Sequence, residues 1–433
     1  MIRLMEFTEK NKISLIKELQ EREKEDDLET ISKVSNILSD VKKFGDEALR
    51  SFTKEFDGVD LKELEVKKED IDNAFKFVEK EFINILEEAS LNIKEYHENQ
   101  KSRGYILNKE DGIYMGQRII PLERVGVYVP GGTAAYPSSV LMNVIPAKVA
   151  GVKEIIMVTP PSKDGGINPY IAVAAKISGV DKIYKVGGAQ GIGALAYGTE
   201  TIKRVDKIVG PGNIFVAIAK RLVFGKVDID MIAGPSEILV IADKSANAKY
   251  IAADLMSQAE HDKLASAILV TTSMDLYKEV EEELTKQVEL LERKEIIKKS
   301  LKDYGIGIVC NSIKECIEIS NILAPEHLEI MTDNPMEILG EIKNAGSVFL
   351  GHYSPEPVGD YFGGTNHVLP TNGTSRFFSP LSVDSFVKKS SYLNYTEEAL
   401  KKHGEKIILF ANKEGLTAHA NSVKVRIDKD ERN

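Results

Sequence analysis

Residues 125–160 read VGVYVPGGTAAYPSSVLMNVIPAKVAGVKEIIMVTP. The short apolar run VGVYVP stops at a Pro-Gly-Gly turn and has the character of a strand. SSVLMNVIPAKVAG has helical length and closes on glycine. EIIMVTP is a second short apolar run. The alternation continues with PYIAVAAKISG as a helix, KIYKVGG as a strand, IGALAYG as a helix start, KIVG as a strand and NIFVAIAKRLVFG as a helix. Short apolar strands separated by helices specify βαβ units and a mostly parallel sheet. The pattern restarts at SEILVIAD (236–243), followed by a helix, ASAILVTT, a charged helix from 275, GIGIVC, IKECIEISNIL, LEIMT and AGSVFLG. These segments make a second α/β set.

The flanks differ. Residues 1–103 look helical and charged. From Ile71, apolar residues fall at Ala74, Phe75, Val78, Phe82, Ile85, Leu86, Ala89, Ile93 and Tyr96, one stripe of a long amphipathic helix. A hairpin follows in YILNKEDGIYMGQRII, turning at Asp111-Gly112. Beyond 378 the pattern is irregular and then helical. YTEEALKKHGEKIILFANKEGLTAHANSVKVR has too few apolar positions for a core of its own, so it must pack on something else.

At 433 residues the chain exceeds one ordinary core. Its net charge of −10, from 57 basic and 67 acidic residues, argues against a nucleic-acid binder. No apolar stretch approaches a membrane span or a signal segment, so a cytoplasmic protein without membrane association is expected. Cys310 and Cys316, six apart, fit neither a disulfide framework nor a metal knuckle and are expected to be apolar fillers of a strand and the next helix.

Several stretches could carry chemistry. GGAQGIGALA (187–196) follows a strand and opens a helix, and Gly191, Gly193 and Ala196 fit G-x-G-x-x-A, where backbone can approach an anionic ligand. No acidic residue stands about 20 positions on to hold a ribose, so plain turns remain the other reading. VPGG (129–132) and GPGN (210–213) would lie at the same sheet edge. In SQAEHD, Gln258 and His261 share a helical face and both offer metal-binding atoms, or else mark a surface helix end. APEHLE sets Glu326 beside His327, two proton-moving groups. GHYSPEPVGDYFGGTNHVLPT (351–371) is a long loop holding His352, Asp360 and His367. Glu414 and His419, five apart, do not share a helical face and taken alone read as solvated surface; His97 and His403 are expected to face solvent.

Taken together, ERVGVYVPGG, VGGAQGIGALAYGT, KIVGPGN, IAGPSEILVIAD, DLMSQAEHD, NILAPEHLEI, GSVFLGHYSPEPVGDYFGGTNHVLPT, SRFFSPLSVDSF and EGLTAHANSV resemble the histidinol dehydrogenases, in family order across 120–425. The resemblance implies an α/β fold of two Rossmann-like parallel-sheet domains, a helical N-terminal region and a C-terminal helical tail, in an intertwined homodimer. It implies oxidation of L-histidinol to L-histidine in two NAD-dependent steps through histidinal, with one Zn²⁺ per site. The family's zinc ligands fall on Gln258, His261, Asp360 and His419, and its catalytic pair on Glu326 and His327. Its NAD contacts fall on Tyr128, Gln190 and Asn213, and its substrate contacts on Ser236, Gln258, His261, His327, Asp360, Glu414 and His419. The implied division is an arm, 1–25; a first α/β domain, 26–127 with 236–377; an NAD-binding domain, 128–235; and a tail, 378–433, that reaches the partner and brings His419 to its site. Two rival readings remain: an aldehyde dehydrogenase with a cysteine nucleophile, and a zinc-stabilised NAD-binding sensor.

Overall fold

The structure, a computed structural model, describes residues 1–8, 11, 28–131, 136–232 and 234–428. Most of the expected arm, 1–25, therefore lies outside the described residues. The chain divides into two compact units: 1–100 with 122–386, and 101–121 with 387–433.

The first unit holds two parallel sheets. Strands β1 (Arg3–Glu6), β9 (Glu237–Ala242), β10 (Ser266–Thr271), β11 (Gly305–Val309), β12 (His327–Met331) and β13 (Ser347–Leu350) form a six-stranded sheet in the order β1-β11-β10-β9-β12-β13. Strands β4 (Arg124–Tyr128), β5 (Glu154–Thr159), β6 (Lys182–Lys185), β7 (Lys207–Val209) and β8 (Asp228–Ile229) form the other, in the order β6-β5-β4-β7-β8. The pairing is parallel throughout both sheets. Apolar residues along each strand alternate between two cores. Ile155 and Met157 pack with the helices at 137–150 and 169–178. Ile156 and Val158 pack with those at 188–197 and 214–223. Continuously apolar strands are what a sheet covered on both faces requires.

The N-terminal helices complete these layers. Leu28–Phe56 buries Val34, Leu38, Val41 and Leu49 with the helix at 188–197, and Lys80–Glu98 buries Leu86, Ala89 and Ile93 with the helix at 137–150. The expected long helix from Ile71 is broken. One helix ends at Ala74, a 3₁₀ turn spans Phe75–Phe77, and Val78 and Glu79 are extended before the next helix begins. The break turns Val78 into the core, where it is 6 % exposed. A second difference is β1, a strand inside the segment expected to be helical: Ile2 packs in the core of the six-stranded sheet, and β1 pairs with β11.

The second unit carries the predicted hairpin, β2 (Tyr105–Glu110) and β3 (Ile113–Pro121), with β14 (Val387–Tyr395) added antiparallel to β3. The helices Glu397–Lys413 and Thr417–Ile427 follow and pack on each other through contacts such as Gly404 with Ile427 and Val423.

Candidate active site

In both sheets of the first unit the strand order reverses at the centre, between β4 and β7 in one and between β9 and β12 in the other. Ligands of open α/β sheets gather at such points, outside the carboxyl ends of the strands. In the five-stranded sheet the residues expected to contact NAD lie at or just beyond that edge. Tyr128 ends β4, Gly187 and Gly188 follow β6, and Gly210 to Asn213 follow β7. Tyr128 Oη accepts from the Gly188 N–H at 3.1 Å, and burial pushes its pKa to about 12. Gln190 is buried with its Oε1 unpartnered. Asn213 caps the helix Ile214–Val223, accepting from the Val216 N–H at 3.2 Å.

Gly191 and Gly193 do not form the turn that the G-x-G-x-x-A match suggested. The helix begins at Gly188, so both lie inside it. A Cβ on Gly193 would stand 3.1 Å from Leu38 Cδ2, so this glycine serves close helix packing. Part of the VPGG turn, Gly132, lies outside the described residues.

The six-stranded sheet carries its polar cluster at the opposite edge. Glu326 and His327 stand at the amino end of β12, where His327 pairs with Ile238 near the amino end of β9. The preceding helix ends on Ala324 in a left-handed conformation, φ 51°, and Ser375 Oγ donates to the Ala324 carbonyl at 2.8 Å. Glu326 Oε2 accepts from the Glu237 N–H at 2.8 Å, and His327 Nδ1 lies 3.1 Å from the Glu237 carbonyl. A carbonyl can only accept, so Nδ1 carries the proton and Nε2 is the basic nitrogen. That Nε2 is buried without a partner, 3.8 Å from Glu356 Oε1 and 4.0 Å from Asp360 Oδ1. Burial holds His327 below its usual pKa and Glu326 well above the carboxylate range. Asp360 is raised to about 9, by burial first and then by Glu356.

Ligating atoms of His327, Glu356 and Asp360 all lie within 4.8 Å of one another, close enough to hold a metal ion. Gln258, near the end of the helix Ala248–Ala259, is buried, and neither side-chain atom has a partner. His261 follows the helix, its N–H donating to the Gln258 carbonyl at 3.2 Å, and it is exposed. The unpaired buried amide of Gln258 and the clustered carboxylates Glu356 and Asp360 have the chemistry of a cation site, with His327 Nε2 left free as a base. Ser236 stands half-buried just before β9.

Glu414 and His419 belong to the second unit. Both are exposed and line one groove of about 940 Å³ with Ile407, Phe410 and Leu416. Two other histidines differ from expectation. His97 is fully buried: Nδ1 bonds the Ile93 carbonyl at 2.7 Å, and Nε2 lies 3.3 Å from Asn366 Nδ2. His403 pairs with Glu110 at 2.5 Å and is half-buried. The His97–Asn366 and His403–Glu110 contacts tie together segments far apart in sequence, which helical periodicity does not reveal.

Three further acidic groups, Asp254, Glu329 and Glu356, stand at the cluster. Glu356 N–H donates to Glu329 Oε1 at 2.8 Å, and burial, with Asp254 beside it, holds Glu329 well above the carboxylate range. Spacing held the signal. Glu356 and Asp360 are i, i+4, as are Asp254 and Gln258, and Glu329 is two strand residues from His327. His367, in the long loop, lies 3.9 Å from Asp360, and burial lowers its pKa to about 4.

A sequence model of the family described as histidinol dehydrogenase matches residues 20–427. The histidinol dehydrogenase of Clostridium acetobutylicum is 62 % identical over 408 residues, 94 % of this chain and 95 % of that protein. That of Listeria monocytogenes is 56 % identical over 403 residues, 93 % of this chain and 94 % of that protein. The crystal structure of histidinol dehydrogenase from Elizabethkingia anophelis superposes with a TM-score of 0.93 at 41 % identity, covering 98 % of each chain. Neighbouring Glu and His held on one strand residue, parallel sheets with central switch points and a match over nearly the whole length lead to one conclusion: the chain belongs to the histidinol dehydrogenase family, the NAD-dependent oxidoreductases.

Proposed function

We propose that the protein oxidises L-histidinol to L-histidine in two successive NAD-dependent steps through histidinal, in the cytoplasm, with His327 and Glu326 as its proton-handling groups. The carrying observation is the uncommitted Nε2 of His327, buried among carboxylates and fixed as the basic nitrogen by Glu237.

In the first step the substrate hydroxyl gives its proton to His327 Nε2, while the adjacent carbon loses a hydride and becomes an aldehyde carbon. A neutral base suits this, and burial keeps His327 neutral. In the second step Glu326, once ionised, takes a proton from water as that water adds to the carbonyl. Glu326 Oε2 is committed to the Glu237 N–H, so Oε1 is the oxygen that takes the proton. His327 passes its first proton to solvent between the steps, and the hydrate then gives it a second proton as a second hydride leaves, yielding the carboxylate. When bound, Zn²⁺ orients the polar ends of the substrate and NAD⁺ accepts the hydrides.

Gln258, His261 and Asp360 would hold the zinc ion together with His419 of a second copy in a homodimer. Ser236, Gln258, His261, His327, Asp360, Glu414 and His419 would contact substrate; Tyr128, Gln190 and Asn213 would contact NAD. The groove beside Glu414 and His419 supports a tail whose exposed apolar side chains, Phe410 among them, are covered by another chain.

The test is NADH formation with histidinol, NAD⁺ and Zn²⁺, counted per histidinol consumed. Two NADH and one histidine are expected. One NADH with free aldehyde would overturn the second step, and no NADH would overturn the whole reading. Activity that survives iodoacetamide is also expected, since Cys310 and Cys316 are buried and neither belongs to the cluster.

A further inference from the structure

The turn between β7 and the helix Ile214–Val223 is held by a buried ion pair that the chemistry above does not use. Lys220 and Asp230 form a salt bridge with 5 % and 2 % of their side chains exposed. Between them they take both polar groups of one peptide residue: Asp230 Oδ2 accepts from the Gly210 N–H at 2.8 Å, and Lys220 Nζ donates to the Gly210 carbonyl at 3.0 Å. Asp230 Oδ1 also accepts from the Met231 N–H at 2.7 Å. Gly210 is buried at φ +113°, a conformation open to glycine, and a Cβ there would stand 2.1 Å from the Tyr128 carbonyl oxygen. This backbone has left the β7 ladder and needs other partners.

A buried ion pair is poor evidence of stability, because its desolvation cost offsets its attraction and an apolar pair of similar volume packs as well. An apolar pair could not satisfy the N–H and C=O of Gly210. The geometry is that of a clamp. It fixes where Gly210 sits against Tyr128, and so where the exposed residues Pro211 to Asn213 present themselves.

We propose that Lys220 and Asp230 are positioning residues for the dinucleotide: by clamping Gly210 they set the shape of the 210–213 turn, and through it NAD affinity. This rests on the reading of Asn213 as a cofactor contact. Neither side chain touches the cofactor. Its binding should weaken when the clamp is broken, while the proton-handling groups at the other sheet are untouched.

Binding of NADH to the zinc-loaded enzyme without histidinol, followed by NADH fluorescence, reads this directly; the chain has no tryptophan to interfere. Lys220→Met should raise the NADH Kd about tenfold or more, the scale of a lost hydrogen bond to a charged group. At saturating NAD⁺, kcat and the KM for histidinol should stay within about twofold. Asp230→Asn keeps an acceptor for the Gly210 N–H and should shift Kd in the same direction by less. Lys220→Arg, which keeps charge and donors, should restore most of the affinity and guards against a Met variant that fails to fold. An unchanged Kd in folded Lys220→Met or Asp230→Asn overturns the clamp, as does a fall in kcat that matches the rise in Kd. Asn213→Ala separates the two levels. If it weakens NADH binding and the clamp variants do not, the clamp is wrong and the cofactor reading stands; if neither does, both fall.

Discussion

Glu237 holds Glu326 and His327 at once: its N–H reaches Glu326 Oε2 at 2.8 Å and its carbonyl takes the Nδ1–H of His327 at 3.1 Å. Successive strand residues normally point to opposite faces. Here Glu326 precedes the first residue of β12, following Pro325 and the left-handed Ala324, so it is free of that alternation. Two consecutive side chains can therefore serve one site.

Glu326→Gln keeps an acceptor for the Glu237 N–H and removes the base. Alcohol oxidation should survive, while oxidation of histidinal supplied directly should fall about 10²-fold or more, in the range of general-base deletions. His327→Ala should slow both oxidations, since each hydride transfer needs a proton acceptor. Single-turnover measurements distinguish the steps where product release hides them. Equal damage to both steps by Glu326→Gln would contradict the division of labour.

Chelating the metal should abolish turnover and leave far-ultraviolet circular dichroism unchanged, because both sheet cores are apolar and contain none of the proposed ligands. Gln258 sharpens the test. Its buried amide has no protein partner, and an unsatisfied buried polar group costs about 1–3 kcal/mol. Gln258→Leu should thus lower zinc content while the metal-free protein becomes no less stable to urea than metal-free wild type. A clear loss of metal-free stability would mean that the amide is there for the fold.

The parallel strands were legible because each is a short apolar run between helices, and burial on both faces leaves that pattern. β1 and β14 were not. RLME is too brief and VKKSSYLNY too polar to stand out, and each becomes a strand by pairing with a distant neighbour. At the site, Glu326, His327, Gln258 and Asp360 could be picked out through motif resemblance. Asp254, Glu329 and Glu356 could not be picked out by composition, since an acidic residue is usually solvated. Their burial follows from the meeting of β12 with two helices that are far from it in sequence. Strand-end rules also look to the carboxyl edge. Here that rule finds the glycine turns and overlooks a cluster at the amino ends of β9 and β12.

Asp254 gives a pH prediction. Burial, and then Glu356, raises its pKa to about 7, against a hydrogen bond with Glu329 that lowers it. The unfolded chain releases this proton near the ordinary carboxylate value, so between about pH 4 and about 7 the folded state binds more protons and stability falls as pH rises. This contribution is fully present below the unfolded pKa and is lost as pH rises through the folded one. Asp254→Asn cannot titrate. Between about pH 5 and about 7, wild type should lose on the order of 2 kcal/mol more than Asp254→Asn in urea unfolding. Parallel curves for the two proteins would show that Asp254 is ionised in the fold.

Glu414 and His419 stand on a unit distinct from the one that holds Gln258, His261 and Asp360. The proposed function completes each zinc site with His419 of a second copy. His419→Ala and His261→Ala should each be inactive alone. Mixed under conditions of subunit exchange, they should regain activity. In a heterodimer one site carries both defects, and the other is built from an intact His261 and an intact His419. With random pairing, half of the dimers are mixed and each has one sound site of two, so recovery should approach about a quarter of wild-type activity, provided that the sites act independently. Zinc content should rise in parallel, which separates rebuilt sites from simple stabilisation. If exchange is verified by mass-tagged subunits and neither activity nor zinc returns, each site is made within one chain and the shared-site proposal is wrong.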